Sequence, residues 1–113
     1  MTDLLDGLRA YGADVTGALE RFVGDEKLYT DCFHLFLDDP AFGDLGRALT
    51  EQNATAAFEA AHSLKGLTGN LGLTPLFQTV CAMVETLRRG SLAGLDAPYA
   101  RLMADRTLLE QYR

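Results

Sequence analysis

Glycine and proline are sparse in this chain except where turns are expected, and no segment alternates apolar and polar residues as a half-buried strand would. The chain therefore reads as all-α. Val15 to about Phe22 forms a first, weak helix, and Asp25 stands ready to cap the next one. From Glu26 to Asp38, Leu28, Cys32, Leu35 and Phe36 recur at helical spacing. Pro40 forces a break or a new first turn, after which Phe42, Leu45 and Leu49 continue an apolar face to about Thr50. Asn53 or Thr55 starts the following helix, which ends at Asn70-Leu71-Gly72, with Gly72 able to take the left-handed cap. Thr74-Pro75 is a start signal, since proline at the first helical position gives up no needed hydrogen bond. That helix uses Leu76, Val80, Met83, Val84 and Leu87 and stops at Gly90, and a last one from about Leu95 to Tyr112 offers Tyr99, Leu102, Met103 and Leu109. Short connections between such helices imply an antiparallel up-and-down four-helix bundle with a short extra N-terminal helix, the 26–51 segment counting as one kinked or broken arm.

At 113 residues the chain has room for one domain, taken as 1–113, and 48% apolar residues suffice for its core. No run approaches the roughly 18 to 20 apolar residues of a membrane span. Acids at Asp3 and Asp6 stand where a signal peptide would carry basic residues, so the expected location is the cytoplasm. Cys32 and Cys81 lack a CxxC or Cys/His pairing and read as small core residues. A net charge of −6 argues against a nucleic-acid surface, for which Arg88-Arg89 is too short a basic group.

Chemistry concentrates in Ala60-Ala61-His62-Ser63-Leu64-Lys65-Gly66. With His62 at zero on a helical wheel, Lys65 lies at about −60°, Gly66 about +40° and Gly69 about −20°, while Ala60, Leu64, Leu67 and Leu71 cluster around 180°. The histidine therefore points to solvent, with a cation one turn on and no side chain at Gly66 or Gly69. Thr55, Phe58, Glu59 and Leu73 share its face, and an apolar rim round a polar centre suggests a docking surface. A metal site is a poor alternative: the positions four residues either side are Phe58 and Gly66, and zinc wants three or four ligands. A purely structural histidine and a merely solvated Lys65 remain open on the wheel alone. Interior glycine costs a helix up to about 1 kcal/mol relative to alanine. Gly66 and Gly69 sit away from the leucine stripe, so room for a partner explains them better than close helix packing.

The run AHSLKG followed by Asn70-Leu71-Gly72 resembles the signature of histidine-containing phosphotransfer (HPt) domains. Arg21-Phe22-Val23-Gly24-Asp25 with Leu28-Tyr29, then Leu35-Phe36-Leu37-Asp38-Asp39, looks like that family's first long helix, and Ala57-Phe58 leading into Ala60-Ala61-His62 also fits. The resemblance implies a phosphorelay carrier. His62 would accept a phosphoryl group from the phospho-aspartate of a receiver domain and pass it to the aspartate of another, with attack by Nε2, charge stabilisation by Lys65 and steric access at Gly66. The implied partners are response-regulator receiver domains and a hybrid histidine kinase. The chain would bind no cofactor of its own, magnesium belonging to the receiver's acidic pocket. Met1 and a complete bundle favour a stand-alone domain, and a monomer is the expected state.

One position departs from the family pattern. Many members carry Gln or Glu 22 residues after the histidine to orient the imidazole, whereas this chain has Val84. Glu85 lies about 100° round the helix and Gln78 nearly two turns earlier, so a backbone carbonyl, a water or a partner group could take over. His34 resembles nothing in the motif and, with Lys27, Thr30, Asp31 and Asp38, reads as a surface residue. No Walker-type or other glycine-rich nucleotide loop is present, so phosphate would come from a partner. A receiver-binding helical adaptor without phosphotransfer is the alternative reading, and a bundle whose helices serve oligomerisation is a third.

Overall fold

A computed structural model describes residues 2–113, with side chains from Leu4 onward. The described residues form seven α-helices: α1 Thr2–Tyr11, α2 Val15–Arg21, α3 Glu26–Leu37, α4 Ala41–Thr50, α5 Ala54–Asn70, α6 Thr74–Arg88 and α7 Asp96–Leu109, with a closing 3-10 turn Glu110–Tyr112. Three starts carry side-chain caps, Asp25 and Asn53 as expected and Asp14 in addition. Asp14, Asp25 and Asn53 each accept the backbone N–H three residues on, at 3.0 Å, from Gly17, Leu28 and Ala56. The fourth differs from expectation by one position: Leu73 is the cap residue and Thr74 precedes Pro75 inside the first turn of α6. Proline is tolerated there for the same reason as at the first position, because its missing N–H would have had no partner within the helix.

Helix α5 packs against α4 on one side and α6 on the other, and α7 closes the bundle against α6 and α4. Ala57, Ala60, Ala61, Leu64 and Thr68 make up the buried face of α5. Three alanines let the neighbouring helices approach closely, since the distance between axes follows the size of the side chains at the contact. Thr68, the one buried polar residue among those described, donates its hydroxyl to Leu64 O at 2.8 Å and to Lys65 O at 3.2 Å. From α6, Leu76, Val80, Met83, Val84 and Leu87 enter the core as expected.

The buried face of α3 differs from expectation. Tyr29, Phe33, Phe36 and Leu37 are its buried side chains, while Leu28 and Leu35 remain 46% and 72% exposed. Both patterns have helical spacing, and the aromatic set wins because it buries more area and forms edge-to-face pairs. Phe22–Tyr29 and Phe36–Phe42 meet with ring centroids 5.3 and 5.2 Å apart. Cys32 and Cys81 are free and only half-buried, at the margin of the core rather than inside it, and His34 is half-buried beside Phe33 rather than fully on the surface.

The N-terminus contributes two helices where one was expected. Leu4, Leu5 and Leu8 of α1 are buried, and Tyr11 donates to Asp105 of α7 at 2.9 Å. The turn between α1 and α2 reaches the end of α5, where Asp14 N donates to Gly72 O at 2.8 Å. Gly72 has φ +71°, and a side chain there would collide with the Asp14 carbonyl, so this junction needs glycine on two counts.

Candidate functional site

His62 lies near the middle of α5 on the side opposite Leu64, and it is exposed. Side chains of an α-helix tilt toward its N-terminus, which leans His62 over Phe58 and leans Lys65 back toward His62. The first contact is seen directly: the Phe58 and His62 rings are stacked, with centroids 5.7 Å apart and 27° between planes. On the C-terminal side nothing lies within 4 Å of where a Cβ at Gly66 would be. The imidazole is thus backed by an aromatic ring one turn before it and open one turn after it.

His62, Lys65, Gly66, Gly69 and Phe77 line one depression of about 470 Å³ with Arg21. Among the described residues, Lys65 makes no ion pair and His62 no hydrogen bond. Sequence reasoning passed over Arg21 as a site residue. Its Nη2 donates to Gly69 O at 2.9 Å and Asn70 O at 3.1 Å, and its Nε to Asn70 O at 3.2 Å. These are the carbonyls left over at the C-terminus of α5, where a guanidinium supplies donors and offsets the negative end of the helix dipole. No spacing rule links Arg21 to His62. The only sequence hint was a basic residue in the last turn of α2.

The other candidates separate. Thr55 and Phe58 border a second depression, which reaches Leu87 and Arg88 of α6. Glu59 belongs to a third groove, between α5 and α4, beside Asp39, Asp44 and Glu51. His62 therefore sits between a cationic hollow on one side and an acidic groove on the other. Leu73 is not part of this surface. It is fully buried, because α5 ends at Asn70 and the turn through Gly72 carries Leu73 off the helical wheel and into the core. Gly69 also plays a different part from that expected. A Cβ there would press on the Phe77 ring at 3.1 Å, so Gly69 admits α6 packing, while Gly66 alone provides clearance. Val84 is completely buried and has no polar group to offer the imidazole.

Further round the molecule, Tyr29 donates to Leu71 O at 2.6 Å, and burial pushes its phenol up to about 12, the Arg21 charge opposing that rise. The end of α5 is thereby held from α2 by Arg21 and from α3 by Tyr29. No group of three or more His, Cys, Asp or Glu among the described residues is arranged to hold a metal ion.

Fold and site together define a helical bundle that presents a solvent-facing histidine on the middle of a long helix, beside a lysine without an ion pair among the described residues. A family model described as the Hpt domain matches residues 39–112, and the chain belongs to that family. Hpt domains carry out histidine phosphotransfer in phosphorelays, in which they interact with receiver domains and histidine kinases. Comparison with curated proteins and with solved structures gave no match. No helix among the described residues is long and apolar enough to cross a membrane.

Proposed function

We propose that His62 is the phosphoryl carrier of this chain, taking its phosphoryl group from the phospho-aspartate of one receiver domain and giving it to the aspartate of another. The observation that supports this most is the openness of the imidazole: exposed, free of hydrogen bonds among the described residues, and bordered by the empty side of Gly66. A neutral imidazole has its nitrogen lone pair available near neutral pH without a strong base. Nε2, the nitrogen farther from the backbone, attacks phosphorus. The bond from phosphorus to the aspartyl oxygen breaks, its electron pair stays on the carboxylate, and the proton on Nδ1 leaves to solvent as the phosphoimidazole forms. Transfer onward runs the same steps in reverse with a second carboxylate.

Lys65 and Arg21 place positive charge in the hollow that the phosphoryl group enters, where it offsets the dianion. Magnesium required for the exchange is supplied by the receiver. Incubation with a phosphorylated receiver domain tests the reading, with His62→Gln as control. Acid-labile, base-stable phosphate should appear on the native chain and be absent from the variant. Receiver binding without any transfer to the native chain would instead make it an adaptor.

A further inference from the structure

The imidazole of a carrier must be held in one orientation, yet the side chain expected to do so is missing, Val84 being buried and apolar. The ring contact to Phe58 offers a different means. Phe58 is half-buried and is itself held from the next helix: the Arg88 guanidinium lies 5.5 Å from its ring centroid, and Arg88 Nε stands 3.5 Å from Glu85 Oε1. Glu85, Arg88, Phe58 and His62 thus form a line of contacts from α6 to the imidazole. We propose that Phe58 is the positioning residue for His62, fixing the plane of the ring by stacking where related domains use a hydrogen bond. The proposal rests on the reading of His62 as the carrier.

The chemistry is compatible with such a support. The nucleophilic lone pair of an sp² nitrogen lies in the plane of the imidazole, so covering one face of the ring restrains rotation about Cβ–Cγ without obstructing attack. That rotation is otherwise soft, since torsions of this type have broad wells. Gly66 leaves the next turn open, and His62 borders the hollow containing Lys65, so the restrained ring keeps its reacting edge accessible from that side. Aligning reacting atoms in this way contributes to rate rather than to partner binding.

The experiment compares Phe58→Leu, which keeps apolar bulk without a flat face, and Phe58→Tyr, which keeps the face. Proton NMR of the His62 ring and the kinetics of transfer from a phosphorylated receiver are both read, with circular dichroism as the check on folding. Expected are upfield-shifted imidazole protons in the native chain and Phe58→Tyr, lost in Phe58→Leu. The maximal transfer rate of Phe58→Leu should fall about three- to ten-fold at an unchanged half-saturating receiver concentration, with Phe58→Tyr restoring it. Native transfer rate in a folded Phe58→Leu overturns the proposal, as does the absence of ring shifts in the native chain. A weaker half-saturation at native maximal rate also overturns it and assigns Phe58 to receiver binding. If the native chain itself takes up no phosphate, the carrier reading fails first and the positioning role falls with it, an outcome visible before any variant is compared.

Discussion

Two cationic regions of the molecule use their charge in opposite ways. Where α3 and α7 end together, each guanidinium nitrogen of Arg113 donates to a carboxylate, with Asp38 at 2.7 and 2.9 Å and Glu110 at 2.8 Å on two atoms. Arg106 nearby donates through both Nε and Nη2 to Leu37 O and lies over Phe42 at 5.1 Å from the ring centroid. In the hollow beside His62, Lys65 faces no carboxylate among the described residues, and Arg21 spends Nε and Nη2 on carbonyls while Nη1 makes no hydrogen bond there. Charge already satisfied within the chain stabilises it. Charge left unsatisfied in an acidic protein remains available to an anionic partner.

The largest effect expected from probing this contrast is at Gly66. Gly66→Leu should slow transfer from a phosphorylated receiver about a hundred-fold by filling the approach to the imidazole, since misplacement of reacting groups by a small distance costs that much. Its melting temperature should not fall, because the position is open and leucine is the better helix former. Undiminished transfer would remove the clearance argument. Next, Lys65→Ala should slow transfer about ten-fold, the cost of losing one charge-assisted contact in the transition state, with thermal stability unchanged. Arg113→Ala should do the reverse, lowering the melting temperature in a thermal scan while transfer stays native. A loss of stability in the first or of transfer in the second would break the comparison.

Arg21, in the hollow, combines both uses of charge and sharpens the contrast. Arg21→Ala should cost about 1 kcal/mol of unfolding free energy through the carbonyls it leaves bare and also slow transfer a few-fold, both readable on one sample. Transfer that stays native would confine Arg21 to capping. The smallest effect is confined to alkaline solution. Tyr29 keeps its proton up to about 12 in the folded chain, whereas an unfolded tyrosine loses it near pH 10. Its contribution is complete below about pH 10 and is lost as pH rises toward about 12, because the unfolded chain then binds fewer protons. Denaturant unfolding across that range should show stability falling with pH, with a shallower slope in Tyr29→Phe.

Much of the fold was legible because helix boundaries are local events. Asp25, Asn53, Gly72 and Gly90 mark ends through their own backbone and side-chain chemistry, and the observed helices begin or end beside each of them. The orientation of α3 was not legible. Its two competing apolar patterns, one aliphatic and one aromatic, have the same period, and only the neighbours Phe22 and Phe42 decide which is buried. At the site, the wheel placed His62, Lys65 and Gly66 correctly relative to the buried leucine because all three share one uninterrupted helix. It misplaced Leu73, which lies beyond that helix's end.

By itself the sequence determined the helices from α2 onward, the outward imidazole and the family of the bundle, since each depends on residues close together in the chain. The tertiary structure alone decided that Arg21 joins the His62 hollow, that Gly69 serves Phe77, and that Arg88 reaches Phe58 from another helix. Those pairings span 8 to 49 positions along the chain, and packing rather than local periodicity brings such residues together.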